Sequence, residues 1–160
     1  MAGYVVALTG ASGARYGLRL VEELLKRGDD VDLIISPAGF LILKEELGLD
    51  LRPVDVKDGL RGYFKADYGS NLTHLASDDI SAPVASGSSV KKAMIICPCS
   101  MGTLARVATG VSGNLIERSA DCFLKERRTL VLVPRETPLN AIHLENMLRL
   151  SRMGALILPA

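Results

Sequence analysis

The chain has 160 residues, 48% apolar and 23% charged, which suits one soluble domain able to bury a core without disulfides or metal. With 19 basic and 18 acidic residues the net charge is +1, so no overall field draws it to nucleic acid or an anionic membrane, and any anion site must be a local cluster. No apolar run approaches the ~20 residues of a spanning helix. The N-terminus shows neither a basic leader nor a cleavage site, and three cysteines, an odd number, fit reduced thiols, so the expected location is cytoplasmic.

Residues 4–9 form a short apolar run, the signature of a strand buried on both faces. A glycine-rich turn follows, then Leu18, Val21, Leu24 and Leu25 on one helical face, closing at Gly28. Residues 31–35 read as a second strand and 37–47 as a second helix. Residues 93–97 read as a strand and 100–109 as a helix. Asn114 with Glu117 resembles a capping box, opening a helix to about Arg128. Residues 130–133 form a strand. Thr137-Pro138 reads as a cap with proline at the first helical position, and that helix ends at Gly154 before a final buried strand at 155–158. Alternating strands and helices predict an α/β fold: a single-domain, open, doubly wound parallel sheet, Rossmann-like or flavodoxin-like. Residues 50–92 show weak periodicity, and such a long polar stretch reads as either a functional loop or disorder. A strand so close to the end of the sequence lacks the helix that normally covers it, so the chain looks cut short.

Thr9-Gly10-Ala11-Ser12-Gly13-Ala14 lies at a strand-to-helix handover, where glycines allow close backbone approach and free N–H groups face an anion. It is neither the dinucleotide fingerprint nor a Walker loop, and it misses the nucleophile elbow by one residue. A turn that serves packing alone is the competing reading. Cys97-Pro98-Cys99-Ser100-Met101-Gly102-Thr103 occupies a second such junction, with Ser100 as a cap able to present N–H groups to a phosphate or flavin edge. Cys97 reads as core and Cys99 as core or pocket lining. No metal-ligand spacing links Cys122, His74 and His143. Arg118 and Lys125 share a helical face that could equally be a solvated surface. Arg135-Glu136, between two prolines at the carboxyl end of a strand, offers a guanidinium fork for phosphate and a proton acceptor. Ser36 and Glu46 alone read as a helix-start serine and a surface carboxylate.

With those blocks, and with Ala82-Pro83-Val84-Ala85-Ser86-Gly87-Ser88, Asn114-Leu115-Ile116-Glu117-Arg118, Leu124-Lys125-Glu126-Arg127-Arg128 and Leu132-Val133-Pro134-Arg135-Glu136-Thr137-Pro138 in order, the chain resembles the UbiX/Pad family of flavin prenyltransferases along essentially its whole length. The resemblance implies reduced FMN as bound substrate and dimethylallyl monophosphate as donor. The product would be prenylated FMN, used by UbiD-type decarboxylases in ubiquinone or aromatic acid metabolism. Gly10, Ala11, Ser12, Ser36, Ser100, Met101, Gly102, Thr103 and Arg118 match the family's FMN contacts. Ser12, Glu46, Lys125, Arg135 and Glu136 match positions around the prenyl phosphate and flavin N5. The resemblance further implies a homo-oligomer, a dodecamer with sites completed between subunits, and no metal. The region 1–160 would be a flavin-binding domain lacking a C-terminal segment whose tyrosine and arginine hold the prenyl phosphate, and a last helix. Two other readings stand beside it: an FMN-dependent cysteine-type decarboxylase, and a non-catalytic FMN-binding protein.

Overall fold

The computed structural model describes residues 2–160. In chain order the elements are β1 (Gly3–Leu8), α1 (Ala14–Lys26), β2 (Asp30–Ile35), α2 (Pro37–Leu47), α3 (Val56–Phe64), β3 (Leu72–Ala76), β4 (Ala93–Cys99), α4 (Met101–Ala108), α5 (Leu115–Lys125), β5 (Thr129–Pro134), α6 (Ala141–Arg152) and β6 (Leu156–Ile157). Short 3-10 turns lie at Gly69–Asn71 and Pro83–Ala85. The strands form one parallel sheet in the order β3-β2-β1-β4-β5-β6, the doubly wound arrangement expected from the alternation of elements.

Side chains alternate across the sheet and separate two cores. Val6, Leu8, Leu33 and Ile35 pack under α1, α2 and α3 with Leu18, Leu43 and Leu60. Ala7, Ile34, Ile96 and Leu132 pack on the opposite face with Leu104, Phe123 and Leu150. The approach of α1 to β4 depends on Gly17, where an added Cβ would stand 2.2 Å from the Cys97 carbonyl oxygen. A Gly17→Ala variant is therefore expected to lose about 1–3 kcal/mol in urea unfolding, since backbone, not a flexible side chain, must give way. Beyond α1, Leu20, Ile95, Val131, Val133 and Leu158 line an open apolar trough of ≈ 390 Å³.

Four expectations need correction. Residues 50–92 are not one long loop, because they hold α3 and β3. Val56 and Leu60 do bury one face of α3, but Gly59 and Gly62 break up its pattern, and β3 is an edge strand whose polar Thr73 blurs the alternation. The helix after β5 does not start at Pro138. Asn140 caps it instead, accepting from the His143 N–H (2.8 Å) while His143 Nδ1 accepts from the Asn140 N–H (3.4 Å), so a complete capping box three residues on takes the start. α5 stops at Lys125 rather than near Arg128, with Arg127 in the left-handed region (φ 54°). The last strand is not buried: β6 is a two-residue edge strand flanked by exposed Leu158.

Candidate active site

The strand order reverses between β1 and β4, and open α/β sheets hold ligands in the crevice beyond the carboxyl ends at that reversal. Both glycine- and serine-bearing junctions open there. Thr9 locks them together: its buried hydroxyl donates to the Pro98 carbonyl (2.8 Å) and accepts from the Ser100 N–H (2.8 Å). A Thr9→Val variant keeps the shape and the Thr9 N–H bond to the Pro98 carbonyl (3.2 Å) but leaves the Ser100 N–H unpaired, and is expected to lose about 1–3 kcal/mol in chemical denaturation.

Two cavities flank the β1–α1 loop. The first, ≈ 310 Å³, is lined by Gly10, Ser36, Ser100, Thr103, Arg106 and Asn114, among others. Ser36 caps α2 by accepting from the Gly39 N–H (3.0 Å). Ser100 caps α4 by accepting from the Thr103 N–H (3.1 Å) and donates to Thr103 Oγ1 (3.0 Å). Two helix starts, hydroxyls and a guanidinium therefore converge on one hollow, a donor set suited to a phosphate monoester. Arg106 is a residue that sequence reasoning missed. Its Nε donates to Glu117, a buried carboxylate that also accepts from the Gly113 N–H (2.8 Å) and Asn114 Nδ2 (3.2 Å). The eleven-residue separation of Arg106 and Glu117 across a turn carries no periodic signal. Met101 instead packs toward the α4 core, and Met101 and Gly102 line neither cavity.

The second cavity, ≈ 440 Å³, is lined by Gly13, Arg15, Tyr16, Arg19, Glu46, Leu47 and Arg135. Gly13 adopts φ 108°, which turns the chain so that its N–H and that of Ala14 point at Glu46. Glu46 accepts from Gly13 (3.1 and 3.0 Å) and Ala14 (3.0 Å), so the carboxylate fills the place of an N-cap for α1. Ser12 also hydrogen-bonds Glu46, and Arg135 Nη1 donates to Ser12 Oγ (2.7 Å). Burial acts to raise the Glu46 pKa, but the bonds from Ser12, Gly13 and Ala14 and the charge of Arg135 outweigh it, and the group lies below the ordinary glutamate value.

Three residues from distant stretches of sequence, Ser12, Glu46 and Arg135, thus meet in one relay. Glu136 is next to it in sequence, but its Oε1 accepts from the Thr137 N–H (3.2 Å). Arg118 and Lys125 do not join within the chain: Arg118 donates to the Ala85 carbonyl (3.3 Å), Lys125 pairs with Glu126 (3.3 Å), and neither lines either cavity. Burial pushes the Cys97 thiol up to about 11 and that of Cys99 up to about 12, so neither is a nucleophile near neutral pH. His74 packs edge-on against Phe40 and lines neither cavity. Among the described residues no cluster of three His, Cys, Asp or Glu is placed to hold a metal ion, and no helix is long and apolar enough to cross a membrane.

Residues 2–160 match the family model described as Flavoprotein. Flavin prenyltransferase UbiX of Halalkalibacterium halodurans is 55% identical over 157 residues, covering 98% of this chain and 75% of that protein. The solved structure of AnUbiX (PadA1) in complex with FMN and dimethylallyl pyrophosphate is 40% identical with a TM-score of 0.83, covering 99% of this chain and 77% of that one. A dodecameric FMN-dependent UbiX-like decarboxylase from Escherichia coli O157:H7 is 38% identical with a TM-score of 0.85, covering 98% and 78%. The chain belongs to the Flavoprotein family, and within it to the flavin prenyltransferases of the UbiX type.

Proposed function

We propose that the chain transfers a dimethylallyl group from a dimethylallyl phosphate donor to reduced FMN. The observation that carries this reading is the Arg135–Ser12–Glu46 relay beside a phosphate-suited hollow, in a chain 55% identical to a flavin prenyltransferase. FMN fits the crevice with its phosphate among Ser36, Ser100, Thr103 and Arg106, and with Gly10, Ala11 and Ser12 along its length. When bound in the reduced form it supplies the N5 and C6 positions that accept the group. Region 1–160 acts as the flavin-binding domain.

The chain's own residues handle charge and protons. Breaking the allylic C–O bond expels the phosphate, which departs as the dianion once it takes up the proton displaced from the flavin, and Arg135 is a preorganised cation to receive it. Ser12, held by Arg135, is oriented to pass a proton toward Glu46, which stays ionised as an acceptor because of its backbone donors. Glu136, next to Arg135 in sequence, is the second carboxylate proposed as a proton acceptor. A monophosphate donor suits one guanidinium and needs no acidic metal-binding motif.

Arg118 and Lys125 act in the site of a neighbouring subunit, a reading supported by their absence from the lining of both cavities and by the dodecameric relative. Co-expression of Arg135→Ala and Lys125→Ala subunits tests it. Each variant alone is expected to be inactive, whereas mixed assemblies recover transfer at about a quarter of their sites. No recovery in mixed assemblies would place both residues in one subunit's site. The product then serves a decarboxylase of the UbiD type, and three free thiols agree with a cytoplasmic setting.

A further inference from the structure

Helix α6 buries little of itself. Leu150 is its one fully buried residue, while Ile142 is 65% exposed and Leu144 and Leu148 are each 51% exposed. Met153, just past the helix, is 51% exposed too. A groove of ≈ 420 Å³ runs along this face, lined by Glu145, Leu148, Arg149, Arg152 and Met153. Among the described residues none of Glu145, Arg149 and Arg152 has an ion-pair partner, although both signs are present. The groove lies on the α4–α6 side of the sheet, and no residue of the Arg135–Ser12–Glu46 relay lines it.

We propose that α6 is a contact between copies of this chain, packing antiparallel against α6 of a second copy about a twofold axis that passes close to Leu148. The exposed stripe of α6 is complementary to itself. At ~100° per residue, Ala141, Leu144, Glu145, Ser151 and Arg152 all fall within about 60° of Leu148 around the helix, opposite the buried Leu150. Glu145 and Arg152 lie on the same side of that stripe, three residues before and four residues after Leu148. A twofold axis perpendicular to the helix reverses direction along it but preserves the side. It therefore brings Glu145 of one copy against Arg152 of the other, twice, and sets Leu148 against its own symmetry mate. The small Ala141 and Ser151 let the two backbones approach.

A heterologous partner would have to supply the same alternation of charge by coincidence, whereas a second copy supplies it by symmetry. The proposal rests on the oligomeric reading above, which the dodecameric relative supports. It goes further by assigning one face and one symmetry.

The test is a charge swap read by light scattering after size exclusion, with far-UV circular dichroism as the check on folding. Glu145→Arg and Arg152→Glu alone are each expected to reduce the assembly to smaller species, because each sets like charges opposite one another. The double variant Glu145→Arg/Arg152→Glu is expected to restore it. Leu148→Cys is expected to cross-link into covalent dimers under mild oxidation, while the wild-type chain, whose cysteines are all buried, does not. Wild-type protein that is monomeric at micromolar concentration would overturn the oligomeric reading and this one with it. Wild-type assembly that survives both single charge reversals, with no Leu148→Cys cross-link, would overturn the α6 pairing alone.

Discussion

Replacing Arg135 with alanine is expected to lower the rate of dimethylallyl transfer by about 10²–10³-fold while FMN still binds. The guanidinium projects from the loop at the end of β5 into the second cavity and donates to Ser12 (2.7 Å). It has no part in the first cavity, which gathers the hydroxyls and Arg106. On the proposed mechanism its loss removes the cation that would meet the leaving phosphate and one of the bonds that orient Ser12, without touching either core. The expected signature is a fall in the single-turnover rate with an unchanged FMN titration. Arg135→Lys should recover part of the rate, since it keeps the charge but not the planar fork. Loss of FMN binding in Arg135→Ala would place the residue in flavin anchorage instead.

The second large effect is expected at Glu46. This carboxylate both caps α1 through Gly13 and Ala14 and ends the relay from Arg135, so its two roles should separate by pH. Glu46→Gln removes the charge and is expected to slow transfer by about 10–100-fold. The folded-state pKa is lowered, so the stabilising contribution is fully present above the unfolded value of about 4.3 and is lost as pH falls through the folded one. The gap in melting temperature between wild type and Glu46→Gln should accordingly be wide at neutral pH, begin to close only below about pH 4, and vanish as pH falls through the lowered folded value. A gap that stays constant between pH 7 and pH 3 would mean that the carboxylate's charge contributes nothing to the fold.

The central four strands of the sheet are legible because β1, β2, β4 and β5 are covered by helices on at least one face and bear near-continuous apolar runs, while Ser36, Ser100 and Asn114 mark helix starts that the structure keeps. The margins are less legible for the complementary reason. β3 and β6 are edge strands with partial burial, so alternation and apolar runs both weaken there. At Thr137-Pro138 a locally plausible cap lost to Asn140, whose bond partner His143 is not the usual glutamate or glutamine. The site residues Ser12, Glu46 and Arg135 could be named from a resemblance, but their convergence needed the crossovers that bring the end of α2 and the end of β5 to the start of α1. Glu46 in particular reads as an ordinary surface carboxylate until Gly13 turns its N–H toward it. The pairing of Arg106 with Glu117 was invisible, because a turn of no fixed length separates the partners.

Dimethylallyl transfer is tested by anaerobic incubation of the purified protein with reduced FMN and dimethylallyl monophosphate, followed by mass measurement of the extracted flavin. The expected result is a flavin heavier by one dimethylallyl unit with wild-type protein, and largely unmodified FMN with Arg135→Ala over the same reaction time. Wild-type protein that binds FMN stoichiometrically yet returns it unmodified, with the monophosphate and with the diphosphate donor, would contradict the account.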